Sequence, residues 1–319
     1  MTCDKHLKLI AGNANADLAR EIAAVLGTEI CRANVETFGD GEIRVYIRET
    51  VRGADVFVLQ PTCPPVNDNL MELLILIDAL RRASARKVVA VIPYYGYGRQ
   101  DRKHTGRVPI SARLVANMIE TAGADRVLTM DLHVGQIQGF FNIPVDNLRA
   151  DFIFAKYMRS VEKHMEDLVI VAPDIGATGR ARLLAERVDA PLAVLEKRRS
   201  QDSLDVKVFN VIGDVAGKRA VLVDDIVASG GTLVKAAEVL IASGVTEVSA
   251  YCTHGVFCGN AVEILEQSPL KRVVVTNTIT HQRALQSEKI DYVSVGEHLA
   301  KTIVQVFEER SVSLLFPHY

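Results

Sequence analysis

Two aspartates, Asp224 and Asp225, stand side by side in the stretch VLVDDIVASGGTL, behind three apolar residues. Adjacent carboxylates repel and raise each other's pKa unless cations or hydroxyl donors meet them. A run of small and hydroxyl-bearing residues follows, Ala228, Ser229, Gly230, Gly231 and Thr232. After it comes a segment with Leu233, Ala236, Ala237, Leu240 and Ile241 on one helical face. A helix opening there turns its free amides back on the loop, which makes a seat for phosphate. Carboxylates that accept hydrogen bonds from vicinal sugar hydroxyls, beside a loop that holds a phosphate, describe a ribose 5-phosphate site. A surface acidic turn followed by an ordinary helix cap has the same residues, and the stretch alone leaves both readings open.

Other polar groups also stand at the ends of apolar runs. ETFGDGEIRVY (36–46) carries Phe38, Asp40, Gly41 and Glu42 in a turn between two apolar segments, which alone is a β-turn. IPYYGYGRQDRKHTGR (92–107) strings Arg99, Gln100, Arg102, Lys103, His104 and Arg107 behind a buried strand. Such a run is ordinarily a solvated loop, yet the Gly-Tyr-Gly approach at 96–98 lets backbone and Arg99 come close to a polyphosphate. His133 follows LTMDL and Asp174 follows VIVAP, each at a strand end, and a lone histidine there is commonly a hydrogen-bonded structural residue. Lys197, Arg198 and Arg199 are consecutive cations behind PLAVLE, which reads plainly as an exposed basic hairpin.

The elements that must position these groups are legible as alternation. Strand patterns fall at 7–12, 54–60, 87–95 and 126–132, with helical periodicity at 16–27, 68–84 and 111–123 between them. The second half repeats the scheme with strands at 167–173, 191–196, 219–225, 247–255 and 272–278 and helices at 179–189, 232–244 and 260–268. LLILIDALRRASARKVVAVIPYYG is echoed by LVKAAEVLIASGVTEVSAYCTHG, each a helix, a short turn, a strand and a polar exit. Near-continuous apolar strands between helices imply parallel sheets covered on both faces, whose ligands collect beyond the carboxyl ends of the strands. The expected fold is α/β, two similar doubly wound parallel-sheet domains, 1–148 and 149–319, with the last residues free to pack back on the first.

A chain of 319 residues, 49% hydrophobic and 24% charged, suffices for two such domains. Its net charge of −2 gives no whole-protein attraction to nucleic acid or anionic membrane, so any phosphate site must come from local clusters. Five cysteines without CxxC spacing read as reduced thiols, not a disulfide frame or a zinc site. No apolar run reaches the ~18 residues of a membrane span, and the start has no long apolar core of a signal peptide, so the expected location is cytoplasmic.

With LTMDLHVGQIQGFFNIPVDNL (128–148), APDIGATGRA (172–181) and LEKRRSQD (195–202), these motifs resemble the ribose-phosphate diphosphokinase family over essentially the whole chain. That family belongs to the type I phosphoribosyltransferase superfamily. The resemblance implies two domains of that fold, and transfer of the β,γ-diphosphate of ATP to the anomeric hydroxyl of ribose 5-phosphate with release of AMP. It implies ATP binding by Phe38, Asp40, Gly41, Glu42, Arg99 and Gln100, with Phe38 stacked on adenine and Asp40 and Glu42 reading its edge. It implies Mg2+ held by His133 and Asp174, and a mobile catalytic loop carrying Lys197 and Arg199. Ribose 5-phosphate would lie on Arg199, Asp224, Asp225, Ala228, Ser229, Gly230, Gly231 and Thr232. A homo-oligomer built from dimers, with a hexamer favoured, is implied as well. The better-known forms carry an acid where this chain has Ala228 and Thr where it has Ser229, so the third carboxylate of the sugar loop is missing. A Ser-x-Ser in the tail, with Arg52, Arg102, Asp146 and Ser311–Ser313, is reminiscent of a regulatory phosphate site, although a packed C-terminal segment reads equally well. Two alternatives remain: a phosphoribosyltransferase using a base, which leaves Arg99, Gln100 and Lys197 unemployed, and a catalytically silent synthetase-associated regulator. Regulators of that kind carry an insertion in the mobile loop, and none is evident between Lys197 and Asp205.

Overall fold

A computed structural model describes residues 6–161, 165–199 and 207–315, with the side chains of 197–199 and 207–209 outside the described part. The chain divides into two compact units, one of residues 1–149 with 294–319 and one of residues 150–293. In the first unit, strands β1 (Leu7–Ala11), β2 (Ala33–Thr37), β3 (Ile43–Ile47), β4 (Asp55–Leu59), β5 (Lys87–Ile92), β6 (Arg126–Met130) and β7 (Val145–Leu148) alternate with helices α1 (Ala16–Leu26), α2 (Val66–Arg82) and α3 (Ser111–Ala122). β1-β4-β5-β6-β7 form one parallel sheet, while β2 and β3 pair antiparallel as a separate hairpin. β4 is buried at every position, as a strand covered on both faces must be. Local chemistry closes the helices: Asn15 caps α1 by accepting from the Leu18 N–H at 3.1 Å, and Gly27 ends it in the left-handed region.

The second unit repeats this plan. Its strands are β8 (Leu168–Ala172), β9 (Leu192–Arg199), β10 (Lys207–Ile212), β11 (Arg219–Val227), β12 (Glu247–Gly255), β13 (Arg272–Thr276) and β14 (Ile290–Val293), and its helices α4 (Asp151–Val161), α5 (Thr178–Val188), α6 (Gly231–Ala242) and α7 (Ala261–Glu266). The sheet order is β10-β9-β8-β11-β12-β13-β14, parallel except for the β9–β10 edge. β8-β11-β12-β13-β14 therefore matches β1-β4-β5-β6-β7 strand for strand, and a β-hairpin intervenes at the same place in each series, β2–β3 in one and β9–β10 in the other. The echo between 73–96 and 233–255 falls on α2–β5 and α6–β12, equivalent positions in the two sheets.

The last helix, α8 (Gly296–Phe307), belongs to the first unit and packs on α1. Two boundaries differ instructively from the sequence pattern. The strand expected over 87–95 stops at Ile92, because Pro93 has no N–H to continue the ladder. The strand expected to end at Asp225 runs on to Val227.

Candidate active site

β11 stays paired with β12 to its end, where Val227 faces Gly255, but its pairing with β8 stops at Leu222 opposite Val171. The acid pair thus sits where one neighbouring strand has already ended. Asp224 is 21% exposed and Asp225 only 6%. The Asp225 N–H donates to Asp224 Oδ1 at 2.8 Å. Arg180, in the first turn of α5, brings Nη1 to 3.4 Å from Asp225 and 3.7 Å from Asp224. Burial, with the charge of Asp225 second, pushes the Asp224 carboxyl up to about 8 against the opposing pull of Arg180. Cys252, opposite Asp224 in the ladder and fully buried, is likewise raised by burial and the two acids.

Beyond Val227 the chain enters the small-residue loop. Ala228 lends its carbonyl to the Cys258 N–H at 2.8 Å. Gly230, at φ 78, precedes α6, where a Cβ would lie 3.1 Å from the Leu265 side chain. No side chain caps α6. Its leading N–H groups therefore face outward beside the exposed Ser229, Gly231 and Thr232, the arrangement that binds an anion. Asp174 is exposed in the turn before α5, where its Oδ1 accepts from the Ala177 N–H at 2.9 Å. The backbones of Lys197 and Arg199 lie in β9 opposite Phe209 and Lys207; their side chains are outside the described residues.

In the first unit, the segment after β5 is shaped by a close approach. The Gly96 N–H donates to Thr62 Oγ1 at 2.7 Å, and a Cβ at 96 would stand 2.4 Å from the Thr62 carbonyl oxygen. A Cβ at Gly98 would make ordinary contact with the His133 Cβ at 3.8 Å. The loop carrying Arg99 is thereby brought to His133, at the carboxyl ends of the paired strands β5 and β6. Gln100 is tied to the start of α3, since Ser111 Oγ donates to its Oε1 at 2.5 Å and the Ala112 N–H to its carbonyl at 3.1 Å. Arg99 is exposed, with no ion-pair partner among the described residues.

Phe38, Asp40, Gly41 and Glu42 form the tip of the β2–β3 hairpin. The Phe38 N–H donates to the Glu42 carbonyl at 2.8 Å, and Asp40 Oδ1 accepts from the Glu42 N–H at 3.1 Å. The Phe38 ring is 46% exposed with the Arg44 guanidinium 5.1 Å from its centroid, so it offers an aromatic surface for stacking. Asn13 tethers the hairpin, its Nδ2 donating to the Val35 carbonyl at 3.2 Å and to Glu72 Oε2 at 2.9 Å. Buried Glu72 also accepts from the Asn13 N–H at 2.6 Å and from Gln60 Nε2 at 2.8 Å. Of the regulatory candidates, Ser311 borders a cavity of about 460 Å³ with Lys87, Arg126 and Arg310, whereas Arg52 lines a different one with Lys8 and Phe307.

Sequence reasoning missed Arg180 and the Asn13–Gln60–Glu72 network. The signal for the network was Gln60, a polar residue closing the apolar run ADVFVL. Arg180 had a weaker one, a cation in the first turn of a helix launched from a strand-end aspartate.

Parallel sheets of matching strand order, with an acid pair running into an uncapped, glycine-led helix, define a protein of the type I phosphoribosyltransferase fold. Residues 7–123 match the model of the N-terminal domain of ribose phosphate pyrophosphokinase, and residues 204–317 that of the phosphoribosyl synthetase-associated domain. The chain is 52% identical to a ribose-phosphate pyrophosphokinase of Bacillus caldolyticus over 98% of its length and 99% of the relative's. It is 54% identical to one from Caldanaerobacter subterraneus subsp. tengcongensis, covering 97% of this chain and 98% of that one. The crystal structure of phosphoribosylpyrophosphate synthetase from Mycobacterium smegmatis superposes with a TM-score of 0.89 at 42% identity, over 95% of this chain and 99% of that one. The chain belongs to the ribose-phosphate pyrophosphokinase family. That membership favours the diphosphokinase reading over a base-using transferase or a silent regulator. Among the described residues no helix is long and apolar enough to cross a membrane.

Proposed function

We propose that this chain transfers the β,γ-diphosphate of ATP to the anomeric hydroxyl of ribose 5-phosphate, giving 5-phosphoribosyl 1-diphosphate and AMP. The observation that carries the reading is the join of β11 to α6, an acid pair and an uncapped helix start with five residues between them. Asp224 and Asp225 accept hydrogen bonds from the sugar's vicinal hydroxyls. Ser229, Thr232 and the first amides of α6 take its phosphate, and Ala228 contributes a methyl where an acid would add a third acceptor. Phe38 stacks on adenine while Asp40 and Glu42 read its edge, and Arg99 and Gln100 meet the polyphosphate.

The attack forms a bond from the anomeric oxygen to the β-phosphorus and breaks the one to the α–β bridging oxygen, which leaves with AMP. The anomeric hydroxyl loses its proton to water, so one proton is released for each diphosphate transferred. Negative charge builds on the transferring oxygens, and Lys197 and Arg199 are assigned to meet it there. By the family resemblance His133 and Asp174, each exposed beyond a strand of its own unit, are the residues that would hold magnesium with few protein ligands. Asp174 Oδ1 accepts from the Ala177 N–H, and that turn bond does not use its other carboxylate oxygen. Magnesium accepts such a site because it retains waters and substrate phosphate oxygens, and when bound it neutralises phosphate charge. A homo-oligomer is what the family resemblance implies, and a cytoplasmic location is what the sequence leads one to expect.

The test is product identity. Incubation with magnesium, ATP and ribose 5-phosphate, followed by phosphorus NMR, is expected to show AMP and phosphoribosyl diphosphate in equal amounts. ADP in place of AMP means single phosphoryl transfer and ends the reading.

A further inference from the structure

Arg180 is a nearly buried cation, 17% exposed, whose guanidinium reaches both members of the acid pair. It comes from α5, and the pair from β11, so two different elements must be fixed relative to each other for the contact to exist. The turn that launches α5 is held by the bond from the Ala177 N–H to Asp174 Oδ1. Among the described residues, the charged and titratable groups that act on Asp224 are Asp225 on its own strand and Arg180 on α5, with Cys252 opposite it on β12. The two carboxylates share the Arg180 guanidinium.

We propose that Arg180 is a positioning residue of the sugar site, spanning Asp224 and Asp225 so that both stay side by side as hydrogen-bond acceptors for a vicinal diol. This rests on the reading of that loop as a ribose 5-phosphate site. The physical reason is charge. Two adjacent carboxylates retain a proton in preference to bearing two negative charges, and a protonated acid donates where the diol needs an acceptor. Asp224 is already raised with Arg180 in place, and among the described residues it is the charge of Arg180 that lowers it. Without that cation the proton is held to higher pH and the site is closed to the sugar over more of the neutral range.

The experiment is the pH profile of ribose 5-phosphate affinity in the full chain, followed both as KM in AMP formation and by calorimetric titration with ribose 5-phosphate alone. In Arg180→Gln the pH of half-maximal affinity is expected to rise by about one unit. KM for the sugar phosphate then increases roughly tenfold near neutrality and converges on the parent's at alkaline pH. The kcat and the KM for ATP stay within about twofold. Arg180→Lys keeps the charge but shortens its span, and its midpoint is expected to move about half as far. A KM raised by one constant factor at every pH, or a joint fall of kcat and both affinities, overturns the proposal. Should the Gln variant not fold, an unmoved profile in Arg180→Lys overturns it equally. If the parent chain makes no AMP, the functional reading fails by itself, and calorimetry still reports whether sugar-phosphate binding follows Arg180.

Discussion

Asp224 is held where burial and a like charge both oppose its ionisation, and the consequence for stability has a definite sign. Its folded pKa, about 8, lies above the ordinary value near 3.8. The folded state therefore binds more protons than the unfolded one between those values, and stability falls as pH rises through that window. Asp224→Asn removes the ionisation. It is expected to raise the unfolding free energy by about 1–2 kcal/mol at pH 8, allowing for solvent at its open edge, and to change it little at pH 4. Thermal melts at the two pH values check this, together with a KM for ribose 5-phosphate at least about tenfold higher. A destabilised variant at pH 8 would show that the carboxylate is satisfied in the free protein. Asp224 and Asp225 were legible in the sequence because two carboxylates behind an apolar run are an anomaly that asks for a partner. Arg180 was not, because an arginine in the first turn of a helix is unremarkable until the fold lays α5 beside β11.

At the level of elements, the two hairpins show how the same strand series takes up different work. β2–β3 stands apart from the five-stranded sheet and is tied to it through Asn13 and Glu72, whereas β9–β10 extends the seven-stranded sheet through β8. In the sequence the first was visible only as a turn, because both of its strands are partly exposed and lack the continuous apolar runs of the sheet strands. β7, β14 and α4 escaped the sequence reading for related reasons: the two strands have four residues each, and DFIFAKYM fits either period. The loop after β5 was better marked, since Gly96 and Gly98 flank the tyrosine that enters it. Gly96→Ala puts a methyl 2.4 Å from the Thr62 carbonyl oxygen, a backbone atom that cannot swing aside, so the segment carrying Arg99 and Gln100 has to move. The expected result is a KM for ATP raised by about tenfold or more with the KM for ribose 5-phosphate nearly unchanged, measured by initial rates. Equal effects on both substrates would separate this loop from the nucleotide.

The whole molecule is assembled from one contiguous unit and one discontinuous one. The second unit closes within residues 150–293, but the first is completed only by the chain's last helix. Sequence periodicity announces two repeated α/β series, and the observed strand orders repeat as that echo implies. It does not say which sheet a terminal amphipathic segment will cover: GEHLAKTIVQVF offers an apolar face that would suit either. In the structure α8 packs on α1, with Leu299 and Ile303 on one helix and Leu18 and Ile22 on the other all fully buried. The first unit therefore depends on contacts between residues nearly the full chain apart, which cost loop entropy to close. Leu299→Ala leaves a cavity in that seam and is expected to cost about 2–5 kcal/mol. Hydrogen exchange locates the loss: amides of α1 and β1 should lose protection while those of β8 and β11 keep theirs, because each unit has its own core. Uniform loss across both sheets would mean that the two units unfold as one, and that the terminal helix secures the entire chain.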